Sequence, residues 1–215
     1  QSRQSYCWKV RTWTRKGGES AWSEPMTFTM GDLDRGYVTT RYPLQETPIA
    51  PRKIYDKGDG HYLIDFGKVA FGYLRLELDS PHPGHQIEVH FGEKGSSEGI
   101  DKKPGGTIRY YKVTRTLEEG PNQLEVRTPK DKRNTSGKAV KLPPEIGVIA
   151  PFRYIEIVNC PEELEESMIR QVAVHYPFNE DASSFASSSQ LLDDIWELCK
   201  YSMKATSYCG VYVDG

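Results

Sequence analysis

The sequence predicts a mainly β chain: a strand pair, then a sandwich of two antiparallel sheets, then one amphipathic helix. Two observations carry this. From about Asp32 to Pro177, short runs of alternating character are separated by turn residues, with almost no helical periodicity. Only after Phe185 do apolar residues recur at helical spacing.

The first element is a strand pair over residues 1–31. Tyr6, Trp8, Val10 and Trp13 fall mostly at alternate positions in SYCWKVRTWT, a turn follows at Lys16-Gly17-Gly18, and SAWSEPMTFTMG returns. The order Tyr-x-Trp-x-Val-Arg, a glycine turn, then Trp-Ser-x-Pro with Phe at alternate spacing resembles the last two strands of a fibronectin type III domain. Two strands alone are marginal in water. The expectation is therefore that earlier strands of that domain lie outside this chain; the alternative is a free-standing hairpin on the next domain.

The sandwich is expected over residues 32–177. Tyr42–Pro51 holds three prolines (Pro43, Pro48, Pro51) and reads as an extended linker or edge segment. Strands are expected at Ile54-Tyr55, His61–Phe66, Gly72–Leu78, Gln86–Gly92, Ile108–Thr114, Asn122–Arg127, Phe152–Val158 and Met168–His175. Leu74, Leu76 and Leu78 alternate with Tyr73, Arg75 and Glu77, and Ile87, Val89 and Phe91 alternate with Glu88 and His90, so each run predicts one buried face. Residues 80–84 (SPHPG) and 118–121 (EEGP) are turns by composition. The basic, polar stretch Pro129–Pro144 predicts an exposed loop. About eight strands of this kind suit a jelly roll.

Residues 178–215 are read as a linker and the start of a further domain. Leu191, Leu192, Ile195, Trp196, Leu198, Cys199 and Met203 form one broad apolar face. Ser188 or Ser189 can cap the helix start, Asp193 and Asp194 suit the positive end of its dipole, and Lys200 and Lys204 the negative end. Such a helix is stabilised mainly by packing its face on something else. The expectation is that an all-helical domain begins here and continues past Gly215.

Composition excludes several classes. The net charge of −2 gives no electrostatic case for nucleic acid. No stretch is apolar for long enough to span a bilayer, and residues 1–30 lack a charged-then-apolar signal pattern. Cys7, Cys160, Cys199 and Cys209 are scattered, without the spacing of a zinc site, and read as buried thiols; a Cys199–Cys209 disulfide stays open.

Few residues suggest chemistry. Lys103-Pro104-Gly105-Gly106 lacks a following helix and is a turn, not a phosphate loop. Lys130, Lys132 and Arg133 are offset by Asp131 and Glu145 and read as a solvated loop. Asn134-Thr135-Ser136 fits a glycosylation sequon. His82, His85 and His90 read as surface histidines rather than metal ligands. Glu93, near Glu98 and Asp101, is a loop carboxylate that suits sugar hydroxyls, calcium or a plain turn. Asp193 and Asp194 are adjacent on a helix, so they point apart and make a poor acid/base pair. Asp214 follows the apolar run Val211-Tyr212-Val213 and precedes Gly215; it is either a loop carboxylate presented to substrate or a plain Asp-Gly turn.

The order of these parts resembles the bacterial α-L-rhamnosidases of glycoside hydrolase family seventy-eight. The stretches that carry it are IDFGKVAFGYLRLEL, PGHQIEVHFGE, PFRYIEIVNCP and SSSQLLDDIWELCKYSMKATSYCGVYVDG. Asp65, Gly67, Gly72, Gly84, Ile87, Glu93, Phe152, Arg153 and Tyr154 match the family's strand motifs in order, and Leu192, Ile195 and Trp196 match its Leu-x-x-Ile-Trp helix. The resemblance implies a jelly-roll sandwich followed by the first helix of an α/α toroid. It implies inverting hydrolysis of terminal α-L-rhamnose from glycosides, with two carboxyl groups roughly 6.5–9.5 Å apart to admit a water. It implies that Asp214 contacts substrate and that the general acid and base lie beyond Gly215, so that no catalytic residue is expected in this chain and no cofactor or metal is called for. The expected partners are a rhamnose-containing glycoside or polysaccharide and the toroid that packs on this chain, in a bacterial periplasmic or extracellular protein. The alternative is a non-catalytic carbohydrate-binding β-sandwich of another secreted protein.

Overall fold

The computed structural model describes residues 3–31, 43–137, 139 and 142–210. Two compact units are present, residues 1–37 and 38–215. Among the described residues, no helix is long and apolar enough to cross a membrane.

The first unit is a hairpin. Strands β1 (Ser5–Trp8) and β2 (Met26–Thr29) pair antiparallel, from Ser5 opposite Thr29 to Trp8 opposite Met26. A bridge between Trp13 and Glu19 closes the tip, where Gly17 takes the positive φ (82°) that glycine accepts without strain. Arg11 lies 5.9 Å from the Trp13 ring and 4.5 Å from the Trp22 ring, and pairs with Glu19 at 2.6 Å. Tyr6 stacks on Phe28. The large apolar side chains stay exposed, Trp13 to 66%, so the hairpin encloses no core of its own.

The second unit holds the sandwich, a one-turn helix and a longer C-terminal helix. Its strands are β3 (Gln45–Ile49), β4 (Lys53–Asp56), β5 (Tyr62–Ser80), β6 (His85–Gly92), β7 (Gly95–Ser96), β8 (Gly99–Ile100), β9 (Tyr110–Leu117), β10 (Gly120–Val126), β11 (Ala150–Val158) and β12 (Ile169–His175). The helices are α1 (Lys132–Thr135) and α2 (Gln190–Ala205). The two runs expected at 61–66 and 72–78 are one continuous strand, β5. Its first part pairs with β4 on one side and β11 on the other, and β6 and β9 extend that sheet. Its second part lies between β12 and β10, with β3 outside β12. One strand therefore runs through both sheets, and all pairings are antiparallel.

The switch is a bulge. Tyr154 of β11 opposes Asp65, but Phe152 opposes Ala70, so β5 carries extra residues at 66–69. Gly67 supplies the positive φ (84°) that this bend requires. Gly72 is required for another reason: a Cβ there would sit 1.9 Å from the Val172 carbonyl oxygen of β12.

The expected alternation holds on the inner faces. Leu74, Leu76, Leu78, Ile87, Val89, Phe91, Ile155 and Ile157 are fully or almost fully buried in one core. Phe152 meets Phe66 and Phe91 edge-on at its centre. Buried Gln171 of β12 ties the two sheets together, donating from Nε2 to the Phe152 carbonyl at 2.6 Å. Two outward residues differ from expectation. Tyr73 is buried, because Arg127 covers its ring at 4.1 Å. His90 is buried too, as described below. The proline-rich segment is an edge strand: Pro48 of β3 lies opposite Val172 of β12, and edge strands are where sheets tolerate proline.

Candidate functional site

The substrate contact expected from sequence, Asp214, lies outside the described residues, as do Val211, Tyr212, Val213 and Gly215. What the structure shows is how the chain is delivered to them. Helix α2 begins after Ser189, whose side chain makes no capping bond. Asp193 Oδ1 accepts the Ser187 N–H at 2.9 Å, which ties the residues ahead of the helix to its first turn. Asp194 Oδ1 accepts Gln190 Nε2 at 2.8 Å. Both carboxylates thus stabilise the helix start, and neither forms an acid/base pair with the other.

The C-terminal half of α2 is anchored on the bulge of β5. The Tyr201 hydroxyl donates to the Val69 carbonyl at 2.6 Å, and the Lys68 ammonium lies over the Tyr201 ring at 4.4 Å. Burial pushes the Tyr201 phenol up to about 12. Lys204 pairs with Glu180 at 2.8 Å, which holds the linker against the helix. Past the helix, the Tyr176 N–H donates to the Ser207 carbonyl, and Tyr208 stacks on Phe71 with centroids 3.7 Å apart. These contacts fix residues 201–210, the lead-in to Asp214.

The rest of α2 has little to cover it. None of its residues is buried, and Leu191 and Leu198 are 67% and 64% exposed. Two hollows flank it. One, about 540 Å³, is lined by Phe178, Trp196, Cys199 and Met203 among others. The other, about 570 Å³, lies between Leu198, Tyr201 and the bulge residues Lys68 and Val69. Cys199 and Cys7 are exposed, against the expectation of buried thiols, whereas Cys160 and Cys209 are buried.

The other candidates resolve into structural roles. Glu93 is half-buried. Its Oε1 accepts the Arg109 N–H at 2.7 Å, and burial raises its pKa above the usual carboxylate range. Asp101 pairs with Lys94 at 3.1 Å, and Glu98 is exposed. His82 is exposed and His85 bonds the Asn159 carbonyl at 2.7 Å. His90 is 5% exposed rather than on the surface; its Nδ1 and the Tyr110 hydroxyl are 2.6 Å apart, and burial lowers its pKa. Beside it lies a group that sequence reasoning missed. Glu156, 3% exposed, accepts the Ile100 N–H at 2.7 Å, with His61 Nε2 at 3.5 Å and Lys102 Nζ at 3.6 Å. The one signal for it was a lone carboxylate inside the apolar run of β11. Among the described residues, no group of three or more His, Cys, Asp or Glu is arranged to hold a metal ion. Lys103–Gly105 are irregular, with the turn displaced to Gly106-Thr107, and outside α1, on which the sequon's Asn134 lies, the described residues of 129–143 are irregular.

The motif residues matched from sequence act together as scaffold. Arg153 grips Asp65 with two hydrogen bonds, and the Gly67 N–H donates to Asp65 Oδ1 at 2.7 Å. The Asp-x-Gly and Phe-Arg-Tyr segments are thus two halves of one clamp on the bulge.

Comparison with known proteins follows the same lines. Residues 1–34 match the family model described as the Rha78A-like, N-terminal immunoglobulin domain. Immunoglobulin and fibronectin type III domains share the sandwich architecture. An alpha-L-rhamnosidase from Formosa agariphila is 25% identical over 143 residues, covering 56% of this chain and 15% of that protein. Among solved structures, the alpha-L-rhamnosidase from Dictyoglumus thermophilum superposes with a TM-score of 0.57 at 18% identity, covering 80% of this chain and 17% of that one. The native enzyme from Aspergillus terreus gives 0.57 at 18% identity over 80% and 18%. The Streptomyces avermitilis alpha-L-rhamnosidase, solved with L-rhamnose, gives 0.54 at 14% identity over 80% and 15%. These structural likenesses show a shared fold, and this chain spans less than a fifth of the length of each of these relatives. Residues 55–175, more than half of the chain, match the bacterial alpha-L-rhamnosidase concanavalin-like domain, and the chain belongs to that family.

Proposed function

We propose that these residues form the N-terminal, β-rich part of an inverting α-L-rhamnosidase that removes terminal α-L-rhamnose from glycosides in the bacterial periplasm or outside the cell. The sandwich supports a helical α/α-toroid domain; α2 is the first helix of that domain. The observation that carries this reading is the state of α2: it is fixed to the sandwich at Tyr201 while Leu191 and Leu198 stay exposed. A helix of this kind gains its stability from a packing partner, and further toroid helices supply one. The names of the relatives point to rhamnosides as the substrates.

In this reading Asp214 contacts the sugar, and the general acid and base come from outside residues 1–215. One carboxylic acid protonates the leaving oxygen while a carboxylate on the opposite face of the ring activates water. The sandwich contributes position: the clamp on the bulge and the Tyr208–Phe71 stack set where the Asp214 segment starts.

The test is hydrolysis of an aryl α-L-rhamnoside by the full-length protein, with NMR of the first anomer released. The expected result is hydrolysis with inverted configuration, lost when Asp214→Asn is introduced. An unimpaired Asp214→Asn enzyme would remove the role given to that residue. A full-length protein that binds rhamnosides without cleaving them would favour a carbohydrate-binding module instead.

A further inference from the structure

A cleft on the same unit has a lining unlike that of the hollows beside α2. It lies between the residues leading into β9, the β10–β11 connection and Tyr208, and measures about 340 Å³, within the range of small-ligand sites. Arg109, Lys130 and Arg133 line it, and among the described residues no carboxylate does. Arg133 is engaged, paired with Asp131 at 2.9 Å and donating to the Thr107 carbonyl at 3.0 Å. Arg109 and Lys130 have no ion-pair partner within 4.0 Å among the described residues. Arg109 is nonetheless positioned. Glu93 holds its backbone N–H, and its guanidinium lies 5.9 Å from the Phe71 ring centroid. The Glu93 carboxyl is the counter-charge acting on Arg109 and Arg133, but it lies outside the lining. The stacked pair Phe71 and Tyr208, tilted by 12°, completes the wall.

Cations beside an aromatic wall suit one kind of ligand. A guanidinium recognises a carboxylate or sulfate through paired N–H donors. The negative face of an aromatic ring suits the C–H face of a pyranose. We propose that this cleft binds an oxyanion-bearing sugar unit, the anion on Arg109 and Lys130 and the ring against the Phe71–Tyr208 wall. Tyr208 precedes Asp214 by six residues, a reach of about 20 Å at most in extended chain. If the two sites serve one glycan, its charged unit lies within that distance of the rhamnose; this clause rests on the rhamnosidase reading, and the binding itself does not.

The experiment is calorimetric and ligand-observed NMR titration of the 215-residue chain. The probes are methyl β-D-glucuronide, glucose 6-sulfate, methyl α-L-rhamnoside and sodium sulfate. At least one charged sugar should bind about tenfold more tightly than the neutral rhamnoside, and less tightly as salt is raised. Which charged sugar binds tells whether the natural anion is a carboxylate or a sulfate ester. Arg109→Gln and Lys130→Gln should each weaken that binding about tenfold, Lys130→Arg should retain it, and far-UV circular dichroism should be unchanged in all three. The proposal is overturned if neutral and charged sugars bind alike, if sulfate ion binds as well as the sulfated sugar, or if the folded Gln variants bind normally. A charged-sugar signal together with a rhamnoside-inert full-length protein would sink the enzymatic reading alone.

Discussion

Arg153 holds Asp65 through two parallel hydrogen bonds, Nε to Oδ1 at 2.7 Å and Nη2 to Oδ2 at 2.8 Å, where the register between β5 and β11 breaks. The Arg153 guanidinium keeps the Asp65 carboxyl below its ordinary pKa, with the Gly67 N–H adding to the effect against the cost of burial. Bidentate charge-assisted bonds of this kind are the stronger ones in proteins. Arg153→Met should cost about 2 kcal/mol, measured by urea unfolding at neutral pH. Asp65 is ionised more readily when folded, so its contribution is complete above the unfolded carboxylate value of about 4 and fades as pH falls through the lower folded value. Asp65→Asn should therefore lose stability at pH 7 and show a shallower acid limb than the parent. An unchanged acid limb would mean that the clamp contributes nothing.

The two glycines of the bulge strand should respond differently to a methyl group. At Gly72 the added carbon meets the Val172 carbonyl, a backbone atom of a paired strand that cannot step aside. Gly72→Ala should cost about 3 kcal/mol or more. At Gly67 the nearest atom is Arg52 Cδ at 3.2 Å, the middle of a side chain that can turn away, so the cost is mainly the positive φ. Gly67→Ala should cost about 1–2 kcal/mol. Thermal unfolding of both variants tests the ranking; equal losses would show that β5 and β12 can move apart freely.

Burial disfavours the charged form of two imidazoles. His90 faces Tyr110, Glu88, Glu156 and Lys102, and His175 faces Thr47, the Tyr176 carbonyl, Glu180 and Lys204. Burial lowers both pKa values. The unfolded chain then takes up protons below about pH 6.5 that the folded chain refuses. Stability should be level above that pH and decline below it, until the lowered folded values are reached. Urea midpoints at pH 7.5 and 5.5 should differ less in the His90→Gln, His175→Gln double variant than in the parent. An identical difference would place the titrating groups elsewhere.

The apolar face of α2 gives a prediction that separates this chain from the whole protein. Leu191→Glu and Leu198→Lys replace exposed side chains, so they should change the stability of these 215 residues by no more than about 0.5 kcal/mol. If the proposed helical domain covers this face, the same pair in a longer protein that contains that domain should lower the melting temperature and any rhamnoside hydrolysis together. Full tolerance in the longer protein would show that the face is never covered.

The strands with clean alternation were legible because each has one face on the core. That holds for residues 73–78 and 86–91. What interrupted the reading was Gly67-Lys68-Val69, which looks like a boundary and is a bulge inside one strand. The edge strand carrying Pro48 was legible as far as one proline allows. Residues whose burial depends on distant cover were not legible. His90 points away from the main core, and Glu156 reads as an outward residue, yet Tyr110 and the β7–β8 hairpin close over them. Tyr73 is covered by Arg127, which no local pattern announces. The motifs that revealed the family proved to be structural joints, while the residue expected to touch substrate, Asp214, stands outside the described segment.

Because β5 is a member of both layers, the sandwich has no seam. Proteolysis or truncation anywhere between Tyr62 and Ser80 would strip a strand from each layer at once. The two layers must therefore melt together, and a helix hung from Val69 must lose its anchor in the same event.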